Sequence, residues 1–301
     1  MLTIGSRGSQ LALWQARWIQ ARLESMGEQC RLEIIHTTGD KITDVALSKV
    51  GAKGLFTKEI EEALLAGAID LAVHSLKDMP TELPAGLTLA AIPEREDPRD
   101  ALVGRKLSQL AAGARVGTSS LRRAAQLRAL RPDLEMESIR GNLDTRLRKL
   151  DEGRYDAIVL ASAGLRRLGW DNRIAELLDP GVICPAVGQG ALAVETRADG
   201  GAAFRIAKGL EHPETRIAVT AERALLASLG GGCQVPIGAY ATVQAGTVLI
   251  RAIVVSPDGS RIIRKQSSGS VDDAASVGRA LGEELLAEGG QQILEAVYGA
   301  A

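Results

Sequence analysis

One thiol in this chain sits in an unusual setting, Gly230-Gly231-Gly232-Cys233-Gln234-Val235-Pro236-Ile237-Gly238. Three glycines free the backbone ahead of the sulfur. Pro236 and Gly238 discourage a regular helix or central strand after it. The pattern predicts a loop that carries Cys233 into a cleft, where a thiol can hold a ligand covalently. The second chemical feature is arginine, clustered in Gly117-Thr118-Ser119-Ser120-Leu121-Arg122-Arg123 and again in Arg140-Gly141-Asn142-Leu143-Asp144-Thr145-Arg146. Each cluster falls at a predicted helix start, where unpaired backbone N–H groups favour an anion. A guanidinium presents a planar fork suited to carboxylate or phosphate. A tethering thiol with many arginines points to a bound polyanion. Ser119 or Ser120 also reads as an ordinary helix N-cap, which explains one serine but not the paired arginines.

Other segments supply further candidates. Arg7-Gly8-Ser9 follows the first predicted strand and can donate to a ligand at its carboxyl end. Lys49-Val50-Gly51-Ala52-Lys53-Gly54 is a glycine-rich loop with two lysines, readable as a lid over an anion or as a plain flexible turn. It lacks the Gly-x4-Gly-Lys-Ser/Thr order of a phosphate-binding loop. His74-Ser75-Leu76-Lys77-Asp78 closes a predicted buried strand, a usual position for catalytic groups. Asp78, two residues before Pro80, also suits a turn. No Gly-x-Ser-x-Gly elbow occurs, so a Ser–His–Asp hydrolase fits poorly.

The totals narrow the class. The chain has 301 residues, 46% of them hydrophobic but only 3% aromatic, so its core must be built from Leu, Ala, Val and Ile. A formal net charge of -1 argues against a general nucleic-acid binder. Cys30, Cys184 and Cys233 are an odd, widely spaced set without CxxC, which fits a reducing cytoplasm rather than a disulfide framework. His36, His74 and His212 lack metal-ligand spacing. Neither a signal peptide nor a membrane-spanning apolar run is visible.

These groups need a scaffold. Strand-like Leu2–Gly5, a helix from Ser9 or Gln10 to about Met26 with Leu11, Trp14, Trp18 and Leu23 at helical spacing, strand-like Arg31–His36, a helix over Lys58–Ala66 and strand-like Asp70–His74 alternate as in a mostly parallel sheet covered by helices. The charged stretch Ile92–Asp100, with two prolines, reads as a crossing to a second unit. There strands at Arg115–Gly117 and Tyr155–Ala161 alternate with helices over Ser120–Leu130, Asn142–Leu150 and Ala163–Leu168. Gly188-Gln189-Gly190 marks the return crossing, and Ala191–Glu195 rejoins the first unit as a strand followed by a helix. After His212 a helix over Glu214–Leu229 precedes strands at Tyr240–Val243, Thr247–Val255 and Ser260–Arg264, with a hairpin turn at Pro257-Asp258-Gly259 and a final helix over Val271–Gly289. The expected domains are 1–93 with 191–210, then 99–186, then an α+β unit over 212–301 that bears the cysteine.

In this order the segments resemble one family over essentially the whole chain. Arg7-x-Ser9-x-Leu-Ala-Leu-Trp14-Gln, Lys49-Val-Gly-x-Lys53-Gly-Leu-Phe56, Ala72-Val-His-Ser-Leu-Lys77-Asp78, Glu94-Arg-Glu-Asp-Pro-Arg-Asp100, the two arginine clusters, Pro185-Ala-Val-Gly-Gln189-Gly190 and Gly231-Gly-Cys233-Gln-Val-Pro-Ile-Gly238 are similar to the porphobilinogen deaminase (hydroxymethylbilane synthase) family. Gly8-Ser9-Gln10 departs from the Gln-Ser-Pro common there, at a helix start. The resemblance implies an α/β fold: two periplasmic-binding-protein-like domains plus a small α+β C-terminal domain. It implies a cytoplasmic, monomeric transferase of tetrapyrrole (porphyrin, heme) biosynthesis. Such an enzyme joins four porphobilinogen molecules head to tail onto a dipyrromethane cofactor held by Cys233 through a thioether. Ammonia leaves at each addition, and water finally frees linear hydroxymethylbilane. By matching positions, Asp78 is the catalytic residue. Asp78, Lys77, Ser75, Ser119, Arg122, Arg123, Arg140, Arg146 and Gln189 would hold the cofactor. Arg7, Ser9, Arg140, Arg146, Arg167, Lys49 and Lys53 would bind substrate, without a metal, membrane or nucleic acid. A non-enzymatic two-lobed carboxylate-binding or ligand-sensing protein would explain the arginines and crossings but not Cys233 or Asp78. A phosphoryl-transfer enzyme built on the Lys53 loop lacks the phosphate and Mg²⁺ motifs.

Overall fold

A computed structural model describes residues 1–41, 56–231 and 235–299. Lys49, Lys53 and Cys233 lie outside the described residues. In chain order the elements begin β1 (Leu2–Ser6), α1 (Gln10–Ser25), β2 (Cys30–Ile34), α2 (Thr38–Lys41), α3 (Lys58–Leu65), β3 (Leu71–Ser75), β4 (Leu87–Ala91) and β5 (Asp100–Val103). Next come β6 (Arg115–Gly117), α4 (Leu121–Leu130), β7 (Glu135–Glu137), α5 (Leu143–Asp151), β8 (Ala157–Ala161), α6 (Ser162–Arg167) and β9 (Ile174–Leu177). The chain then forms β10 (Leu192–Arg197), α7 (Ala202–Lys208), α8 (Pro213–Ser228), β11 (Ile237–Gln244), β12 (Thr247–Val255), β13 (Ile262–Ser270), α9 (Ala274–Leu285) and α10 (Gln291–Tyr298).

Three sheets organise these elements. The first runs β2-β1-β3-β10-β4, the second β7-β6-β8-β5-β9 and the third β11-β12-β13. The first two are mixed rather than mostly parallel. β1 pairs in parallel with β2 and β3, but β10 is antiparallel to both β3 and β4. Likewise β5 is antiparallel to β8 and β9. The reason is topological: β5 and β10 enter their sheets directly from the two crossings and bring no crossover helix, which a parallel neighbour would require. The strands at Leu87–Ala91, Asp100–Val103, Glu135–Glu137 and Ile174–Leu177 were not expected from the sequence.

Local chemistry sets the helix positions. Ser9 caps α1, its Oγ accepting from the Ala12 N–H at 3.3 Å, and Ser120 caps α4 by accepting from the Arg123 N–H. The buried face of α1 is Gln15, Ala16, Ile19 and Leu23, with Trp14 and Trp18 half-buried beside it. Full burial of Ile19 or Leu23 contributes about 1.5–3 kcal/mol each. In the third unit, Val248, Ile250, Ala252 and Val254 of β12 pack against Leu225 of α8 and Leu281 and Leu285 of α9. The expected helix over Val271–Gly289 is shorter. A single turn at Val271–Asp273 precedes α9, and Gly289 at φ 102° breaks the axis before α10.

Both crossings meet at one ion pair. Glu222 of α8 is fully buried and accepts from Arg95 Nη1 at 2.6 Å and Nη2 at 3.2 Å. It also accepts from the backbone N–H groups of Gly188 and Ala241. Arg95 Nε donates to the Gln189 carbonyl, so one residue pair joins the outgoing crossing, the return crossing and the third unit. Removing one partner of such a pair strands a charge in the interior. Glu222→Ala should therefore cost about 3–5 kcal/mol of stability in a urea titration. A loss below about 1 kcal/mol, the range of exposed pairs, would contradict this reading.

Candidate active site

A cleft of about 840 Å³ opens between the first two sheets. Its lining comes from element ends. Arg7 and Ser9 follow β1; Ser75 ends β3, and Lys77 and Asp78 follow it; Arg140 to Asn142 lead into α5, which adds Leu143 to Arg146 and Lys149. Arg123 reaches in from α4 and Arg167 from α6. Among the described residues this brings together Arg7, Ser9, Ser75, Lys77, Asp78, Arg123, Arg140, Arg146 and Arg167 of the sequence-derived set. Strand ends recur because the residues beyond a β-strand's carboxyl end face the crevice of an α/β sheet.

Among the described residues, Ser119, Arg122 and Gln189 lie outside the lining of this cleft. Ser119 Oγ donates to the Ile139 carbonyl at 2.6 Å and pairs with Ser138 Oγ, which satisfies it on an exposed edge. Arg122 and Gln189 lie behind Arg123, around Asp100. Asp100 is fully buried and accepts from Arg122 Nη1 at 2.8 Å, Arg123 Nε at 3.0 Å, Arg123 Nη2 at 2.7 Å and Gln189 Nε2 at 2.8 Å. Burial raises its pKa but the two guanidinium groups prevail, holding the carboxyl far below its ordinary range. Arg122 also donates to the Cys184 carbonyl, and Arg123 Nη1 donates to the Val159 carbonyl at 3.1 Å. Two arginines share one carboxylate, so the cleft floor carries surplus positive charge.

The rest of the wall adds to that charge. Arg146 Nε donates to the Gly141 carbonyl at 2.8 Å, and burial with Arg123 and Arg140 nearby lowers its pKa to about 10. Arg167 Nη2 donates to the Gly190 carbonyl at 2.6 Å, and burial lowers it likewise to about 10. Gly190 sits at φ +87°, where an added Cβ would come 2.3 Å from the Glu96 carbonyl oxygen, so the crossing needs glycine there. Arg7 lies 4.2 Å over the Phe56 ring. Lys149 Nζ donates to the Arg140 carbonyl at 3.0 Å. Ser75 Oγ accepts from Gln15 Nε2 at 2.9 Å, a support that the sequence did not single out.

Asp78 ends a single helical turn, Leu76–Asp78, with its side chain open to the cleft. The turn is pinned from three sides. Leu76 N–H donates to the Ala191 carbonyl, Gly188 packs against Leu76, and Arg223 Nη2 donates to the carbonyls of Pro80 at 2.6 Å and Thr81 at 3.1 Å. Thr81 also marks where the glycine run leaves α8. Gly230 and Gly231 at φ 89° and 66° close the helix by left-handed turns, and a Cβ on Gly231 would lie 3.2 Å from Thr81 Oγ1. Gly231, the last described residue of this run, therefore lies against Thr81, three residues beyond Asp78. The two other thiols are poor anchors: burial pushes Cys184 up to about 12, and burial with Glu24 and Glu28 raises Cys30.

A cationic wall, one open carboxylate and hydrogen-bonding hydroxyls suit a ligand with several carboxylates and its own N–H donors. Among the described residues no group of three His, Cys, Asp or Glu converges as a metal site. Nor is any helix among them long and apolar enough to cross a membrane.

Lys77 carries a pH signature. Burial, aided by Arg123 and Arg122, lowers its ammonium from 10.5 to about 8, against the opposing pull of Asp78. Its positive charge is thus present below pH 8 and lost as pH rises through that value. Affinity for a ligand with several carboxylates should fall between pH 7 and 9 in the wild type and stay flatter in Lys77→Arg, as read by calorimetric titration. Identical pH profiles for the two proteins would contradict the role of Lys77.

Comparisons with known proteins show what the chain is similar to. The family model described as "Porphobilinogen deaminase, dipyromethane cofactor binding domain" matches residues 2–204, and the model of the porphobilinogen deaminase C-terminal domain matches residues 216–287. A porphobilinogen deaminase of Syntrophobacter fumaroxidans is 52% identical over 99% of this chain and 98% of its own length. One of Roseiflexus sp. is 55% identical over 97% of this chain and 98% of its own. Among solved structures, a periplasmic substrate-binding protein of an ABC transporter from Coxiella burnetii superposes with a TM-score of 0.44 at 13% identity, over 72% of this chain and 94% of that one.

Proposed function

The chain belongs to the porphobilinogen deaminase family, and from that premise we propose a role for each residue of the cleft. The activity is that of a transferase in tetrapyrrole biosynthesis: four porphobilinogen molecules are condensed stepwise, with loss of ammonia, and linear hydroxymethylbilane is released by water. Its cofactor is dipyrromethane. When bound, dipyrromethane would supply the free pyrrole carbon to which the first unit is joined, each later unit joining the ring added before it. A non-enzymatic ligand sensor is not favoured.

The cleft residues fit that cofactor by donor type. Cys233 would hold it through a thioether, on a loop whose described flank starts beside Thr81. Arg123, Arg140 and Arg146 pair with its acetates and propionates, and Ser75 and Lys77 complete the set. Charge-assisted hydrogen bonds of this kind contribute about 1.5–3 kcal/mol each. Arg7, Ser9 and Arg167 take the carboxylates of porphobilinogen. The Lys49 and Lys53 loop belongs with them. Arg122 and Gln189 act through Asp100 by fixing Arg123.

Asp78 accepts the pyrrole N–H groups. Positive charge grows on the substrate as ammonia leaves, and a fixed carboxylate beside it lowers the barrier. Its Oδ atoms can also take up the proton lost from the attacked ring carbon. The observation that carries this reading is the placement of the open Asp78 carboxylate in a wall of buried or half-buried arginines.

The sheets support a division into 1–93 with 191–210, 99–186 and 212–301, the second crossing sending β10 back to the first sheet. We also infer a monomer acting in the cytoplasm without nucleic acid. A net charge of -1 supports the last of these, since it argues against a general nucleic-acid binder.

Asp78→Ala should still carry the cofactor, read as intact mass in excess of the variant's own sequence, yet lose at least ~100-fold in turnover, the lower range for a positioned acid–base group. Turnover within about twofold of wild type, with the same excess mass, would remove Asp78 from the chemistry.

A further inference from the structure

Beside the cleft lies a second groove of about 720 Å³, and of its walls only Arg167 has a role above. Its walls are Trp14, Arg17 and Trp18 of α1 facing Arg166, Arg167 and Leu168 at the end of α6. Arg167 and Leu168 line the cleft as well, so the two spaces meet at them. The indole rings of Trp14 and Trp18 stack at 6.5 Å and 19°, and Arg22 caps Trp18 at 3.9 Å. Arg167 stands 6.0 Å from the Trp14 ring. Arg17 is exposed and has no hydrogen-bond or ion-pair partner among the described residues. Flat apolar faces flanked by guanidinium groups match a planar ring bearing carboxylates.

Size and charge say why such a groove is needed. A space of about 300–1,000 Å³ encloses one drug-sized ligand. The fully extended chain on the enzyme is far larger, with six pyrrole rings and twelve carboxylates. Seven lysines and arginines line the cleft among the described residues, fewer than those carboxylates. Each ring beyond the capacity of the cleft brings two unpaired negative charges. Arg167 is the point where they leave it, and Arg17 is the next cation beyond, since Arg166 is already paired with Glu96, Asp97 and Asp171.

We propose that this groove holds carboxylated pyrrole rings of the elongated chain once the cleft is full. The proposal rests on the family reading. It places no demand on the first additions, which fit within the cleft, and a large one on the last.

The test mixes the cofactor-loaded chain with limiting porphobilinogen, quenches at short times and reads intact mass. Wild type should give a ladder of one to four added rings. In Arg17→Glu, a change on the exposed surface, the first two rungs should form at wild-type rates. The third and fourth should form about fivefold more slowly, the scale of one exposed charge contact. In a Trp170→Phe background, which leaves Trp14 and Trp18 as the emitting indoles, fluorescence should drop at the third addition and not at the first. Trp18→Phe, which keeps an aromatic ring, should fold and shrink that drop. A ladder and emission unchanged by Arg17→Glu would overturn the groove. Equal slowing of every rung would assign it to incoming monomer and overturn it too. A wild-type chain with no ladder would instead refute the family reading.

Discussion

One carboxylate shared by two arginines sets the character of this molecule. Asp100 is buried at the start of β5 and accepts from both Arg122 and Arg123. Had each arginine its own acid, the floor of the cleft would be neutral and its guanidinium groups sated. With one acid between them, Arg123 is held rigidly in place while a positive charge remains to be met from the cleft side. Burying such a surplus is unfavourable in isolation. The lowered pKa values of Arg123, Arg146 and Lys77, each caused first by burial, express that tension. A polyanionic ligand relieves it, which is how a structural cost becomes binding specificity.

Geometry at the other end of the site depends on a different pair. Arg95 and Glu222 join both crossings to α8, and Arg223 of the same helix holds the Pro80-Thr81 carbonyls behind Asp78. The third unit is also fastened to the second sheet's side, where Arg128 donates to the Pro257 carbonyl and Arg264 to those of Gly181 and Val182. Helix α8, which precedes the glycine run, is therefore anchored to the segment that follows Asp78.

Much of the site could be read from the sequence because its residues lie in short local patterns. Ser9 before a helical run, Gly230-Gly231 at a helix end and Asp78 after a buried strand are each set by neighbours a few positions away. The partners of Asp100 and Glu222 are not: Arg122 is 22 positions from Asp100, and Arg95 is 127 from Glu222. Ile92–Asp100 read only as a charged crossing for that reason, although its half-buried Arg95 and fully buried Asp100 are pairing groups. Ser119 and Arg122 illustrate the converse. A motif can place a residue near a helix start, but whether its side chain turns to the cleft or to Ile139 and Asp100 depends on what the distant strands offer. The mixed sheets escaped notice because β4, β5, β7 and β9 are short and carry no helical spacing to frame them.

A crystal structure of the chain carrying its dipyrromethane addresses the central claim most directly. The acetate and propionate groups should lie on the Arg123, Arg140 and Arg146 guanidinium groups, with both pyrrole N–H groups donating to Asp78 and the Arg122–Asp100–Arg123 contacts unchanged. Carboxylates turned to solvent, with Asp78 beyond hydrogen-bond distance of either ring, would contradict it.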